Sequence, residues 1–196
     1  MRSRVIVDTN WLLDIALRRD GEAERLWDRV RTGTFELLVP AFCLMEAIKT
    51  VETMRGHWTD TRNALARHAG DLRRSAALGA HVTALEAAAL AFDDVKDRAE
   101  RQVYSTLQEV AAASGSLVLD VEALARIADI RTQLNPSPAD AAVLATVVVT
   151  NEREASAVPF LSRDAWFGRA APARFLRDRQ IPHFADAGAL LAWAGA

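Results

Sequence analysis

The chain has 196 residues, 51% of them hydrophobic, and a formal net charge of -2. That length suits one ordinary domain with room for an insertion, and the near-neutral balance excludes a globally basic nucleic-acid binder, so any such contact has to use a local patch. A single cysteine, Cys43, excludes an internal disulfide and a multi-cysteine zinc site.

In chain order, residues 4–7 read as a buried strand and 9–19 as a helix. Residues 22–31 form a second helix, ended by Thr32-Gly33-Thr34. A strand follows at 35–39, stopped by Pro40, and then a helix over about 41–54, halted near Gly56. Residues 57–114 break the strand–helix rhythm and read as entirely helical. One helix spans about 58–77. The pattern Thr83-x-x-Glu86 matches a capping box for a second, longer one. Leu85, Ala89, Phe92, Val95, Ala99, Val103, Leu107 and Val110 step by three and four along it. That stripe predicts a helical hairpin at about 57–114, packed on itself or on the core, with a dimer seam as the alternative. Ser114-Gly115 closes it. A short strand at 117–119, a helix at 121–131, a turn at 135–138 and an apolar helix at 139–151 come next. Strands at 159–162 and 182–184 and a helix at 185–193 end the chain. Strands alternating with helices predict an α/β fold with a central parallel sheet covered on both faces, one domain over 1–196. No segment approaches the run of about 20 apolar residues that spans a membrane. Asp8 interrupts the first apolar run too early for a secretory signal, so a cytoplasmic protein is expected.

Four acids lie at the edges of apolar segments: Asp8, Glu46, Asp140 and Asp164. In an open α/β sheet, ligands gather at the carboxyl ends of the strands. Carboxylates converging there repel one another, and oxygen-seeking divalent cations relieve that repulsion. Each acid also has a plainer reading. Asp8 can cap the helix it precedes, although Thr9 and Asn10 are competent caps too. Glu46 can be a solvated residue on the outer face of its helix. Ser137-Pro138-Ala139-Asp140 reads as N-cap to N3, so Asp140 can complete a capping box. Asp164 can open a turn before Ala165. Asp120 fits a cap better than a ligand, and Asp14 reads as a solvated helix position.

The set Asp8-Thr9-Asn10, Glu46, Asp140-Ala141 and Ser162-x-Asp164-x-x-Phe167 resembles the PIN-domain nucleases. The resemblance covers about residues 1–56 and 115–196. It implies a three-layer α/β/α PIN-like fold, with the 57–114 hairpin inserted. It further implies that Asp8, Glu46, Asp140 and Asp164 are catalytic metal ligands, with Thr9, Asn10 and Ser162 in support. The family cleaves RNA, and sometimes structured DNA, with Mg²⁺ or Mn²⁺. Many bacterial members are toxins of toxin–antitoxin pairs, of the virulence-associated protein C type, so an antitoxin partner and a homodimer become expectations. The hairpin departs from those toxins in length.

Phosphodiester hydrolysis needs an activated water and stabilisation of charge on the leaving oxygen, which metal ions supply. Asp8 is expected as the central ligand, with Asp140 and Asp164 completing one site. Glu46 would hold a second ion or a bound water, and Ser162 would orient a carboxylate. His57, His68, His81 and His183 show no ligand spacing and lie away from these motifs in sequence. Arg163 and Arg169 flank Asp164 and are candidates for RNA phosphate contacts. Arg73, Arg74, Arg174, Arg177 and Arg179 could extend that rim, or each could be a solvated surface residue. Trp11, Trp58 and Trp166 could stack bases or pack. Two other readings stay open. One is a regulatory module that keeps the fold and binds RNA or protein without catalysis. The other is a haloacid-dehalogenase-type phosphatase, which wants Asp-x-Asp where this chain has Asp8-x-Asn10.

Overall fold

The computed structural model describes residues 3–74 and 77–195. Five strands form one parallel sheet: β1 (Ser3–Val7), β2 (Phe35–Pro40), β3 (Gly115–Leu117), β4 (Phe160–Leu161) and β5 (His183–Phe184). Their spatial order is β3-β2-β1-β4-β5. The chain therefore moves outward in one direction from β1 to β3, then crosses to the other side of β1 for β4 and β5. The order reverses between β1 and β4, and the crevice outside their carboxyl ends is where such sheets bind ligands.

Eight helices are present among the described residues. They are α1 (Thr9–Ala16), α2 (Gly21–Arg31), α3 (Ala41–Leu72), α4 (Gly79–Ala113), α5 (Val121–Leu134), α6 (Pro138–Arg153), α7 (Ala170–Asp178) and α8 (Ala187–Trp193). Two compact units result. One contains the chain up to Ala47 and from Thr106 onward, and the other is Ile48–Ser105.

In the α/β unit the core is built on β1, whose Val5, Ile6 and Val7 are fully buried. Burial on both faces is what a central parallel strand requires. Helix α6 is buried without a break from Ala141 to Val149. A helix apolar all round belongs in an interior, and its one hydroxyl in that stretch, Thr146, donates to the Ala142 carbonyl at 2.9 Å. Asn151 then ties the end of α6 to the approach of β4. Its amide nitrogen donates to the carbonyls of Val147 and Val158, and its oxygen accepts from the Val158 N–H at 2.7 Å. That bracket sets where β4 begins.

The helical unit follows a different rule. Arg55 pairs with Glu100, Arg62 with Asp93 and Arg73 with Glu86. As one partner's number rises the other's falls by a similar step, so α3 and α4 run antiparallel along this stretch. The half-buried and buried positions of α4 include Val82, Leu85, Ala89, Phe92, Lys96, Ala99 and Val103. They keep the three–four rhythm expected for the stripe, with one correction. Val95 is half exposed, and the aliphatic stem of Lys96 takes its place while its ammonium reaches Asp93.

Several boundaries differ from the expectations. Helix α3 runs straight through Gly56, because an exposed helical glycine costs only about 1 kcal/mol relative to alanine and good helix formers surround it. Helix α4 starts at Gly79, ahead of Thr83, so the capping-box position lies inside the helix. Helix α1 stops at Ala16, with Arg18 in the left-handed region at φ 51°. Strand β3 lies two residues earlier than expected and begins at Gly115, where an added Cβ would meet the Leu38 side chain at 2.8 Å. Any side chain there would make the end of Leu38 shift. Helix α7 lies where the sequence analysis places no element, and its Pro172 sits in the first turn, where its missing N–H is harmless.

Candidate active site at the carboxyl ends of β1 and β4

Asp8 is the first residue after β1 and the N-cap of α1, accepting from the Trp11 N–H at 3.2 Å. It is 5% exposed. Ser162 is the first residue after β4 and is also buried. Its hydroxyl donates to Asp8 Oδ2 and accepts from the Asp164 N–H at 3.2 Å. One hydroxyl thus links the two acids that follow neighbouring strands. Asp164 folds its own loop by accepting from the Trp166 N–H at 2.7 Å. Phe167 anchors that loop in the core, edge-on to Phe160 at 4.9 Å between ring centroids.

Glu46 enters from α3. Thr9 Oγ1 donates to Glu46 Oε2 at 2.5 Å, so the residue after Asp8 tethers the helical acid. Cys43 lies one turn before Glu46, fully buried against Thr9. Burial chiefly, with the nearby charges of Asp8 and Glu46 and against a hydrogen bond with Thr9, pushes its thiol up to about 12. It is a packed apolar side chain and no nucleophile.

Burial likewise raises the Asp8 carboxyl to about 6. Hydrogen bonds from Ser162, Trp11 and Asn10 oppose the rise, and the negative charge of Asp164 adds to it. The environment disfavours the ionised form of Asp8.

The remaining residues fall into place unevenly. Asn10 contributes a backbone N–H to Asp8. Asp140 is engaged at the start of α6, where its N–H donates to the Ser137 hydroxyl at 3.1 Å and its carboxylate accepts from that hydroxyl at 2.7 Å. It is not drawn into the chain of contacts linking Asp8, Ser162, Asp164, Thr9 and Glu46. Among the described residues, no three His, Cys, Asp or Glu side chains gather closely enough to hold a metal ion between them. Arg163 is half exposed and paired with Asp14 and Asp20. Arg169 is exposed at the N-cap of α7. Arg73, Arg74 and Arg174 are paired with acids, and Arg179 lies 3.6 Å over the Phe175 ring. Trp11 is buried edge-on to Trp27.

Two residues escaped the sequence reading. Asp14, which reads in the sequence as a solvated helix position, is 2% exposed. His183, distant in sequence, is brought by β5 to the Ser162 carbonyl, 3.2 Å from its Nε2. Burial between aromatic rings lowers its pKa and favours the neutral ring. The signal for His183 was its place on a strand, which becomes informative only once that strand is known to pair with β4.

In overall fold the chain is similar to a chain of VapBC2 from Rickettsia felis, solved bound to a DNA fragment from their promoter. The similarity covers 92% of this chain and 97% of that one, at 10% identity and a TM-score of 0.52. It is a likeness of fold. Neither a protein-family model nor a curated protein matches the chain.

Proposed function

We propose that this protein is a metal-dependent endoribonuclease of the PIN-domain type and the toxin of a toxin–antitoxin pair. The observation that carries the reading is the Ser162 hydroxyl joined to both Asp8 and Asp164 at the point where the strand order reverses. The fold likeness to a chain of VapBC2 supports it. On this reading the fold is the three-layer PIN-like one, a single domain carrying the helical unit as an insertion. An antitoxin protein, a homodimer and a cytoplasmic location accompany it. No helix among the described residues is long and apolar enough to cross a membrane.

The donors at this site are carboxylate and hydroxyl oxygens, the chemistry that Mg²⁺ and Mn²⁺ prefer. Mg²⁺ commonly binds through one or two carboxylates and keeps several waters, so a group of three protein ligands is not required. Asp8 and Asp164 would hold the ion, with Glu46 and Asp140 reaching it directly or through water. Bound there, such an ion supplies an activated water and stabilises charge on the leaving oxygen. The protein's own residues do the rest. Ser162 orients the Asp8 carboxylate and holds the main chain at Asp164, Thr9 aims Glu46, and burial leaves the Asp8 carboxylate poorly hydrated and open to a cation. Arg169, exposed near Asp164, would contact substrate phosphate.

A second reading, a PIN-like regulatory module without catalysis, is favoured by the lack of any three-acid cluster among the described residues. Incubating the purified protein with total RNA, with and without Mn²⁺, separates the two. The nuclease cleaves only with metal. Asp8→Asn, Glu46→Gln, Asp140→Asn and Asp164→Asn should bring cleavage to background, and Mn²⁺ should raise the melting point of these variants much less than that of the wild type. If Asp140 serves only as a cap, Asp140→Asn alone keeps activity, because asparagine is nearly as good at a helix start. Four variants with wild-type cleavage and an equal metal-induced shift would sink the nuclease.

A further inference from the structure

The proposed chemistry makes no use of Asp14, yet this carboxylate is 2% exposed on α1. An ionised group in such a place is costly unless it is paired. Its partner is Arg163, whose Nη2 lies 2.8 Å from Asp14 Oδ1. The same guanidinium sends Nη1 toward Asp20 Oδ2 at 3.6 Å. Asp20 is itself fixed as the N-cap of α2, accepting from the Glu22 N–H at 2.9 Å. Arg163 stands between Ser162 and Asp164, so the segment after β4 is bolted to α1 at two points. Ser162 bonds to Asp8 at the start of α1, and Arg163 bonds to Asp14 near its end. Six residues of helix put these attachments about 9 Å apart along the axis. Ser162 is also held through its main chain, by the Phe184 carbonyl at 3.0 Å and by His183 at 3.2 Å, so what the Arg163 bond adds is a hold on the chain beyond Ser162, toward Asp164.

We infer that Arg163, clamped by Asp14 and Asp20, is a positioning residue that holds Ser162 and Asp164 in place, and is not a contact to substrate phosphate. The inference rests on the nuclease reading for what those two residues are held in place to do. Charge supports it. Asp14, Asp20 and the adjacent Asp164 put three carboxylates around Arg163 against one further cation near Asp14, Arg19, so its surroundings sum to negative and do not attract an anion. Geometry supports it too, because a planar fork can span two carboxylates where a point charge serves one.

The test uses the full-length protein and three variants: Asp14→Asn, which keeps shape, Arg163→Met, and Arg163→Lys. Amide hydrogen exchange read by NMR reports the segment directly, without metal or substrate. The N–H groups of Asp164 and Trp166 should exchange about tenfold faster in Asp14→Asn and Arg163→Met, while that of Val147 in α6 is unchanged. Mn²⁺ affinity should weaken about tenfold, as when the groups supporting a metal ligand are removed. On a defined RNA oligonucleotide, kcat should fall with KM and the salt dependence of binding unaltered. Arg163→Lys should recover part of the loss.

A phosphate contact gives the opposite pattern. Arg163→Met would then raise KM and flatten the salt dependence, and Asp14→Asn, by freeing the guanidinium, would tighten RNA binding. That pattern overturns the inference, as does wild-type exchange at Asp164 and Trp166 in both variants. If the wild type neither binds Mn²⁺ nor cleaves RNA, the nuclease reading falls on its own. Exchange then decides alone, with faster exchange upholding the clamp and unchanged exchange overturning it.

Discussion

Helix α6 is buried from Ala141 to Val149 without a break, whereas α4 alternates buried Val82, Ala89 and Val103 with exposed Leu90, Val95 and Tyr104. The acids of the two units differ in the same way. In the helical unit Glu100, Asp93 and Glu86 each meet an arginine. In the α/β unit Asp8 is buried, bonded to Ser162 and beside the charge of Asp164. One unit neutralises its acids across a helix pair. The other holds an acid in an environment that resists its ionisation. Carboxylates that the fold leaves electrostatically unrelieved are where a cation-dependent function is to be sought.

The largest expected effect comes from making one substitution in both regions. Leu144 on α6 is fully buried and Leu90 on α4 is 69% exposed. Leu144→Ala should destabilise the protein by about 3 kcal/mol, through lost burial and a cavity. Leu90→Ala should stay within about 0.5 kcal/mol. Urea unfolding of both variants checks this. Comparable losses would mean that Leu90 is covered in solution by something that binds the helical unit.

A middle-sized effect separates the acids by the sign of their pH dependence. The folded state raises Asp8 from 3.8 to about 6, chiefly by burial. It therefore binds this proton more tightly than the unfolded chain does. Stability from this group is full below pH 3.8, declines as pH rises toward about 6, and is gone above it. Asp8→Asn removes the titration. Without metal the variant should match the wild type near pH 4 and exceed it above pH 6 by up to about 3 kcal/mol. Asp93 shifts the other way, lowered first by its hydrogen bond from Lys96. Its contribution is present above pH 3.8 and is lost as pH falls through its folded value, so Asp93→Asn should lower stability at neutral pH. Melts of both variants across pH 4 to 8 read the two signs. An Asp8→Asn protein that is less stable than wild type at pH 7 would mean that capping by the carboxylate outweighs its burial cost.

These contrasts also explain what could be read in the sequence. Buried strands such as residues 4–7 and 35–39 show as short apolar runs between turn signals, and β1 and β2 lie there. Ser137-Pro138 announces the start of α6 through side-chain chemistry that is wholly local. Local signals also mislead, because Gly56 looks like a stop and costs an exposed helix little. The link from Asp8 through Ser162 to Asp164 was legible only as a set of types at strand ends, since 154 residues separate Asp8 from Ser162. Asp14 and His183 were illegible. Asp14 needs Arg163 beside it to be tolerable in the interior, and His183 needs β5 to pair with β4. Neither partnership leaves a mark within a local window.

The smallest effect concerns what sets the register of the helical unit. Arg55 and Glu100 pair at 3.1 Å on a partly exposed surface. Exposed pairs of this kind contribute about 0.2–1 kcal/mol, because both ions are well solvated and long side chains lose freedom to meet. Arg55→Glu places two carboxylates face to face and should cost about 1 kcal/mol or less. Adding Glu100→Arg restores opposite charges in swapped positions and should recover most of that loss. At about 1 M salt the screening length falls to about 3 Å, so wild type, single variant and swap should converge. The same three proteins at low salt give the pair's coupling energy by a double-mutant cycle once Glu100→Arg is included. If the apolar stripe of α4 sets the register, all four unfold with the same denaturant slope and differ only in midpoint. If the ion pairs set it, Arg55→Glu changes the slope as well, because helices that slip expose Val82, Ala89 and Val103 to water before they unfold.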